Sequence, residues 1–115
     1  MKTAIITGAS RGVGRAVAET LAQDDWRLIL NCRSRFDLLE QEAEKLRSMT
    51  EVHTVHGPIT DDVLQELLGR SESILLVNNA GISTFNLAQD VSDDELDAML
   101  DANVKDMFRL TRAVI

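Results

Sequence analysis

The apolar residues of this 115-residue chain fall into short runs that alternate with longer periodic stretches. Runs that are apolar at successive positions are typical of strands buried on both faces of a parallel sheet. Three such runs and one more polar run predict strands at 4–6, 28–32, 51–56 and 73–77. Apolar residues that recur every three or four positions predict a helix after each strand. The resulting order is β-α-β-α-β-α-β-α without repeats or linkers, and we expect residues 1–115 to form one domain.

Signals at the helix ends support this order. The first helix is predicted to open at Gly12, and the second to run from about Phe36 to Met49. Thr60 is a candidate N-cap for the third helix, which Gly69 is expected to end. The segment Ser92–Glu95 has the spacing of a capping box and predicts the start of the fourth helix. The apolar stripe of that helix consists of Leu96, Met99, Leu100, Val104, Met107, Phe108, Thr111 and Val114.

Right-handed crossovers place these strands in one parallel sheet with helices on both faces. The strand order is 3-2-1-4 if the second and third strands add on one side of the first and the fourth on the other. We therefore predict an α/β, Rossmann-type doubly wound fold, truncated to four strands. Ligands bind such a sheet at the carboxyl ends of its strands, where the winding direction changes between strands one and four.

The turn from the first strand to the first helix reads TGASRGVG at residues 7–14. Gly8 can adopt a positive φ, Gly12 lets a phosphate approach the backbone, and Gly14 lets the helix pack on the strand. Unpaired N–H groups in the first helical turn favour an anion there. The alternative is a tight turn without a ligand. A second glycine motif, NNAG at residues 78–81, follows strand four at the same end of the sheet and favours the ligand site.

Composition and charge narrow the possible functions. A net charge of −7 argues against a nucleic-acid surface, which needs a basic stripe. The acidic residues at 90–106 are interpreted as a solvated helix face, with an acidic partner-binding surface as the lesser alternative. Cys32 cannot form an internal disulfide, because it is the single cysteine, and it is expected in the core. His53 and His56, three apart on a strand, point to opposite faces and predict no metal site.

Neither a secretory signal nor an apolar stretch long enough to span a bilayer is recognisable in the sequence. We therefore expect a cytoplasmic protein without a membrane partner.

Three segments occur together in an order and spacing that point to a family: TGASRGVG at 7–14, NNAG at 78–81 and DANVK at 101–105. On these motifs the chain resembles the short-chain dehydrogenase/reductase family over essentially its whole length. Within the family it is most similar to 3-oxoacyl-[acyl-carrier-protein] reductases. The resemblance implies a nicotinamide coenzyme held by Gly8, Ser10, Arg11, Gly12, Val13, Gly14, Arg33, Ser34, Ile59, Asn79, Ala80 and Gly81.

The resemblance also assigns roles to two further asparagines. Asn103 of DANVK would hold a water molecule that joins a proton relay, and we place it in the catalytic machinery. The alternative for Asn103 is a buried amide that bends its helix and binds a structural water. Asn78 is expected to brace the sheet, since its amide offers both donors and an acceptor at a strand end.

The charge of the residues at the end of strand two indicates whether NAD(H) or NADP(H) is preferred. Enzymes that prefer NAD(H) place an acid at the end of strand two, where it binds the ribose hydroxyls. Here that segment reads Asn31-Cys32-Arg33-Ser34 and has no acid. Arg33 and Arg11 are suited to hold a 2′-phosphate through charge-assisted hydrogen bonds, which favours NADP(H). The alternative is that both are ordinary surface arginines.

Two positions depart from the family pattern. The family usually has an acid that meets the adenine in the turn after strand three, where this chain has Pro58; Ile59 could still pack against the ring. The loop before strand two usually has a glycine where this chain has Asp25. Neither departure changes the predicted fold.

The family's chemistry also needs a Tyr-x-x-x-Lys pair and a serine, and this chain contains no tyrosine. We therefore interpret it as the amino-terminal portion of an NADP(H)-dependent oxidoreductase that interconverts carbonyls and secondary alcohols, inactive on its own. The alternative is a non-catalytic nucleotide-binding module. A small-molecule substrate and homo-oligomers are expected only for a longer parent protein. Strand four is expected to be an exposed edge, with apolar surface facing water.

Overall fold

The computed structural model describes residues 1–69, 71–82 and 86–115. Parallel strands alternate with helices along the chain, as predicted. The strands are β1 (Lys2–Ile6), β2 (Arg27–Cys32), β3 (Val52–His56) and β4 (Ser73–Val77). The helices are α1 (Gly12–Gln23), α2 (Phe36–Leu46), α3 (Asp61–Leu68), α4 (Asp93–Leu100) and α5 (Asp106–Val114). A short 3₁₀ helix, Ala88–Asp90, precedes α4, and a π-helical segment, Asp101–Lys105, joins α4 to α5.

The four strands form one sheet in the order β3-β2-β1-β4, which confirms the predicted topology. All three strand pairs are parallel. The central strands are buried because helices cover both of their faces. Ile5 and Ile29 face a cluster with Leu64 of α3 and Leu110 of α5. The opposite face packs α1 and α2 against the sheet through Ala4, Ile6, Ala18, Leu28, Leu30, Leu39 and Leu46.

Side-chain caps start two helices where the sequence predicts them. The hydroxyl of Thr60 accepts a hydrogen bond from Val63 N at 3.4 Å, and that of Ser92 accepts one from Glu95 N at 3.1 Å. Helix α3 ends at Leu68, but Gly69 keeps a right-handed φ of −57°. The helix therefore ends at the predicted residue, without the left-handed conformation that is common for glycine at helix ends.

The last predicted helix is not a uniform α-helix. Five residues, Asp101–Lys105, form a π-helical turn between α4 and α5. A wider turn rotates the residues that follow it, so a stripe with α-helical spacing cannot stay on one face. Ala102 and Leu110 are buried, whereas much of the apolar stripe is exposed, namely Leu96, Leu100, Val104, Met107 and Phe108.

Strand β4 lies at the edge of the sheet, which confirms the expected exposed edge. Ile74 and Leu75 on this strand are 39% and 36% exposed. Together with the exposed stripe of α4 and α5, they give the chain a broad apolar surface. Among the helices that the structure describes, none is long and apolar enough to cross a membrane.

A buried arginine ties the sheet to helix α3. Arg27, at the start of β2, is 3% exposed. Its guanidinium donates hydrogen bonds to the Glu51 carboxylate, to the Leu67 carbonyl oxygen and to the Thr3 hydroxyl. The charge is tolerated in the interior because it is both paired and hydrogen-bonded.

The position where the family usually has glycine adopts the backbone conformation that favours glycine. Asp25 has a φ of 60° in the turn between α1 and β2. We expect Asp25→Gly to raise the free energy of unfolding by about 1 kcal/mol, because it removes the steric cost of that conformation. Urea denaturation measures the change.

The neighbouring substitution Asp24→Gly is the control, since Asp24 has a φ of −100°. There, glycine adds freedom to the unfolded chain and removes an exposed ion pair with Lys2 at 3.9 Å, so it should lower the free energy of unfolding by about 0.5–1 kcal/mol. Equal effects of the two glycines would contradict the interpretation.

Two carboxyl groups meet between α1 and α2. Glu42 is buried, and its Oε1 has no hydrogen-bond partner among the described residues. Burial raises the pKa of Glu42, and a hydrogen bond to Glu19 raises it further. The same hydrogen bond lowers the pKa of Glu19, which also contacts Lys45 at 3.4 Å. The geometry therefore favours a protonated Glu42 that donates to Glu19.

This pair makes stability depend on pH. Because the pKa of Glu42 is raised in the folded chain, its stabilising contribution is fully present below the unfolded value of 4.5. That contribution is lost as the pH rises through the folded pKa. Glu42→Gln stays neutral and keeps an N–H donor. We expect it to exceed the wild type in unfolding free energy at pH 7 by about 1–3 kcal/mol, with the excess shrinking toward pH 4.5.

Glu44→Gln on the same helix is the control, because the Glu44 side chain is 79% exposed. It should change the unfolding free energy by less than about 0.5 kcal/mol at either pH. Parallel pH profiles for wild type and Glu42→Gln in urea denaturation would show that the pair has no such effect.

Candidate functional site

The turn between β1 and α1 approaches the helix so closely that only glycine fits. Gly8 has a φ of +64°. A Cβ atom at Gly14 would lie 2.6 Å from Asn79 Nδ2 and closer still to the carbonyl oxygen of Gly8. Gly12 has a φ of +61°, and a Cβ atom there would meet nothing within 4 Å. The space above Gly12 is therefore open, whereas the space at Gly14 is filled by the turn itself.

Polar side chains hold this turn against the end of β4. The Thr7 hydroxyl accepts hydrogen bonds from Asn79 N at 3.0 Å and Ala80 N at 2.9 Å. The Asn79 amide donates to the carbonyl oxygens of Thr7 and Gly8, at 3.2 and 3.1 Å. The two glycine motifs at 7–14 and 78–81 are thus bonded directly to each other.

The side chains of the adjacent residues Asn78 and Asn79 bond to different parts of the chain. Asn78, expected to brace the sheet, is exposed and donates to the Thr111 hydroxyl of α5 at 3.1 Å. Asn79, expected to line the coenzyme, uses its side chain to brace the glycine turn and also borders a cavity beside that turn.

A cavity of about 300 Å³ opens beside the turn, at the carboxyl ends of β1, β2 and β4. We call it the glycine-loop cavity. It brings together most of the predicted coenzyme residues, namely Gly8, Ser10, Arg11, Gly12, Arg33, Ser34, Asn79, Ala80 and Gly81. Residues from three separate segments of the chain therefore converge on one space.

The amino terminus of α1 points into this region without a cap of its own. Arg11 is the N-cap residue and makes no side-chain capping bond, and the first turn contains no acidic residue. By contrast, α3 and α4 begin with a capping hydroxyl and at least two acids. The first N–H groups of α1 thus have no partner within the helix, and the positive end of its dipole is not neutralised.

The glycine-loop cavity is cationic on a chain whose net charge is −7. Arg11, Arg33 and Arg35 line it, and no carboxylate among the described residues does. Arg35 is held by Asp37 through two contacts of 3.2 Å, and Arg33 contacts Asp106 at 3.3 Å. Arg11 has no ion-pair partner in the part of the chain that the structure describes. Arginines here favour a multiply charged anion such as a phosphate.

A second, larger cavity of about 540 Å³ lies between the turn after β3 and α5. We call it the turn–helix cavity. Gly57, Pro58 and Ile59 form one wall, and Asp106, Met107 and Leu110 lie on the other. The Asn31 amide secures that turn by donating to the Val55 and Gly57 carbonyl oxygens. The two cavities share Arg33 and Ala80 as lining residues, so they adjoin.

Four predicted site residues do not line the glycine-loop cavity. One of them, Ile59, lines the turn–helix cavity instead. Val13 is 70% exposed, and Gly14 is buried beneath the turn. Asn103 borders neither cavity.

Asn103 is exposed rather than buried, contrary to the alternative of a buried, helix-bending amide. It lies in the π-helical segment, and both ends of its amide are used. Its Oδ1 accepts from Ile82 N at 2.8 Å, and its Nδ2 donates to the Ile82 carbonyl oxygen at 2.7 Å. The side chain therefore anchors the segment that follows the NNAG motif.

Sequence reasoning missed three residues of the glycine-loop cavity. Arg35 lies two positions after Arg33, and its charge was the available signal. Cys32 was assigned to the core; it is buried but also lines the cavity, and burial raises the pKa of its thiol. Ile82 enters only because Asn103 fixes its backbone, and no sequence signal points to it.

The two histidines have separate partners. The His53 Nε2 is 3.2 Å from the Glu51 carboxylate. His56 stacks on Phe36 with ring centroids 4.4 Å apart, and its Nε2 is 2.7 Å from Glu40 Oε1. They face different neighbours and do not share one site.

Comparison with known proteins agrees with this geometry. The family model described as short chain dehydrogenase matches residues 2–115. The chain is 34% identical to the 3-oxoacyl-[acyl-carrier-protein] reductase FabG of Escherichia coli, covering 99% of this chain and 48% of that protein. It is 30% identical to the FabG of Staphylococcus epidermidis, covering 98% and 49%. The chain thus spans about half the length of the curated relatives it matches.

Solved structures share the fold. An alcohol dehydrogenase from the archaeon Thermococcus sibiricus, complexed with 5-hydroxy-NADP, superposes with a TM-score of 0.82 at 33% identity. The superposition covers 98% of this chain and 51% of that one. A short-chain dehydrogenase from Sphingobium yanoikuyae in complex with NADPH gives a TM-score of 0.84 at 26% identity, covering 99% and 47%.

The two helix glycines should respond differently to alanine. We expect Gly14→Ala to lower the free energy of unfolding by about 3 kcal/mol, since its methyl group collides with the Gly8 carbonyl. Gly12→Ala should cost only about 1 kcal/mol, because its conformation is strained but the space is open. Urea denaturation compares the two. A Gly12→Ala variant less stable than Gly14→Ala would contradict the packing described here.

Proposed function

Because this chain belongs to the short chain dehydrogenase family, we propose that it binds NADP(H) and forms the coenzyme-binding part of an oxidoreductase. The observation that carries the proposal is the uncapped amino terminus of α1 beside three arginines in one cavity. Unpaired N–H groups and the helix dipole favour the pyrophosphate, and the open space above Gly12 lets it approach the backbone.

The preference for NADP(H) over NAD(H) is argued from the residues after β2. Arg33 and Ser34 occupy the place where an acid would bind the 2′-hydroxyl of NAD(H). Arg11 approaches the same cavity from the glycine turn and has an unused guanidinium among the described residues. The complexes of the Thermococcus and Sphingobium relatives with NADP-type coenzymes support this proposal.

The turn–helix cavity is the proposed place of the adenine. Ile59 on its wall offers an apolar surface to the ring, while Pro58 provides no hydrogen-bonding side chain. The adenine is then held by packing rather than by a carboxylate. Arg33 and Ala80, which both cavities share, would lie beside the ribose that links adenine to pyrophosphate.

The proposed reaction is hydride transfer between the nicotinamide and the carbon of a carbonyl or secondary alcohol. When bound, the coenzyme supplies or accepts the hydride. A 3-oxoacyl thioester or a small ketone is the proposed substrate class, on the similarity to FabG. The chain's own part in the chemistry is Asn103, which would position the proton-relay water. Its side-chain amide also bonds to both backbone groups of Ile82, which holds the residue in place.

The tyrosine that the family uses as general acid is absent from these 115 residues. We propose that the chain alone binds coenzyme but does not catalyse hydride transfer. That absence also supports a second candidate, a non-catalytic nucleotide-binding module, which would share the site and lack the reaction. For a longer parent protein, we propose a cytoplasmic homo-oligomer.

Calorimetric titration of the chain with NADPH and NADH tests coenzyme binding. We expect NADPH to bind more tightly than NADH. Arg33→Ala should weaken NADPH binding about 10- to 150-fold, since a charge-assisted hydrogen bond is worth about 1.5–3 kcal/mol. The same substitution should change the dissociation constant for NADH by less than about twofold, because that coenzyme has no 2′-phosphate.

Arg15→Ala is the matched control. It removes the same charge from α1, but Arg15 pairs with Glu19 outside both cavities. It should change neither affinity. The preference for NADP(H) fails if Arg33→Ala and Arg15→Ala have equal effects on NADPH, and the binding proposal fails if neither coenzyme binds.

A further inference from the structure

One ion pair stands at the boundary between the two cavities. Arg33 Nη2 lies 3.3 Å from Asp106 Oδ2, and both side chains are about two-fifths exposed, at 41% and 40%. Arg33 reaches over from the segment after β2, and Asp106 opens α5 directly after the π-helical segment. Asp106 Oδ1 is also 3.8 Å from Arg109 Nη1. The carboxylate is therefore held from the helix side while it occupies the guanidinium of Arg33.

We propose that Asp106 lowers the affinity of the site for a phosphate on the adenosine ribose by competing with that phosphate for Arg33. The inference rests on the proposed function, because it assumes that the ligand's adenosine portion lies across the two cavities. Asp106 is here a residue that acts through Arg33, and it sets how strongly a 2′-phosphate is preferred.

The sign of the effect follows from charge at both stages of binding. In the free protein, the Arg33 guanidinium already donates to a carboxylate, so a phosphate must displace that bond. A half-exposed ion pair of this kind is weak, and a phosphate offers more charge and more acceptor oxygens, so the exchange is favourable. After the exchange, the Asp106 carboxylate remains near the phosphate and repels it. Competition and repulsion both oppose binding, so removing the charge should strengthen it.

The chain offers a matched control on the same helical segment. Asp101 carries the same charge and pairs with Lys105 at 3.3 Å, but it lines neither cavity. Asp101→Asn changes the net charge of the chain as Asp106→Asn does. Any difference between the two variants therefore reports the position of the charge rather than its loss.

The test is calorimetric titration with 2′,5′-ADP and with 5′-ADP at about 0.15 M salt, where distant charges are screened. We expect Asp106→Asn to bind 2′,5′-ADP about two- to fivefold more tightly than the wild type, while 5′-ADP changes by less than about twofold. Asp101→Asn should match the wild type for both ligands. Asp106→Glu, which keeps the carboxylate, should also stay near the wild type.

A double variant tests whether Asp106 acts through Arg33. In an Arg33→Ala background, Asp106→Asn should no longer raise the affinity for 2′,5′-ADP beyond the change expected from loss of repulsion alone. A gain as large as in the wild-type background would overturn the competition.

The outcomes separate this inference from the proposed function. If the wild type binds 2′,5′-ADP and Asp106→Asn binds it no more tightly, the inference is overturned while coenzyme binding stands. Equal weakening of both ligands in Asp106→Asn would indicate a structural role for Asp106 and would also overturn it. If neither protein binds either ligand, both proposals fail.

Discussion

The close contact between the Gly8 carbonyl and α1 at Gly14 is the constraint on which the candidate site depends. It brings the helix onto the end of β1 with no room for a side chain. Asn79 fixes the contact from the side by donating to the Thr7 and Gly8 carbonyl oxygens. Because Asn79 follows β4, those bonds join the turn after β1 to the end of the neighbouring strand. The beginning of α1 is thus held against the carboxyl ends of two strands.

The distribution of charge also indicates that an anion would bind at the beginning of α1. The chain has 19 acidic and 12 basic side chains, yet in the part of the chain that the structure describes, the glycine-loop cavity is lined by arginines and by no carboxylate. Each of the other helix amino termini carries an acid in its first turn, which neutralises the local dipole. An anion is therefore attracted to the beginning of α1 rather than spread over the surface.

The fold could be predicted almost completely because its signals are local. Runs such as 28–32 and caps such as Thr60 depend on a few neighbouring residues, and the crossover rule then places the strands in one parallel sheet. The order 3-2-1-4 also required that strands two and three add on one side of strand one and strand four on the other. For the candidate site, the signals available in the sequence were the glycine spacing and the positive charge of Arg33. The partner of Arg33 could not be predicted, because Asp106 lies 73 residues away and sequence spacing does not place two side chains within bonding distance.

The π-helical turn was also hidden, since its five residues have ordinary helical composition. The sequence pattern of this region indicated only an apolar stripe, which a uniform α-helix would bury on one face. Within this turn, the amide of Asn103 bonds to both backbone groups of Ile82 and so ties the turn to the chain after the NNAG motif. The residue proposed to position the relay water therefore lies in the distorted part of the helix.

This distortion links the two halves of the site. An α-helix advances about 100° per residue, so one additional residue in a turn rotates everything after it by about that angle. Asp106 is the first residue after the π-helical segment, and it contacts Arg33. Asp106 and the next residue, Met107, both line the turn–helix cavity, so α5 presents a carboxylate and an apolar side chain to it directly after that segment. The bonds between Asn103 and Ile82 tie the π-helical segment to the chain after the NNAG motif, while Asp106 supplies the carboxylate that contacts Arg33.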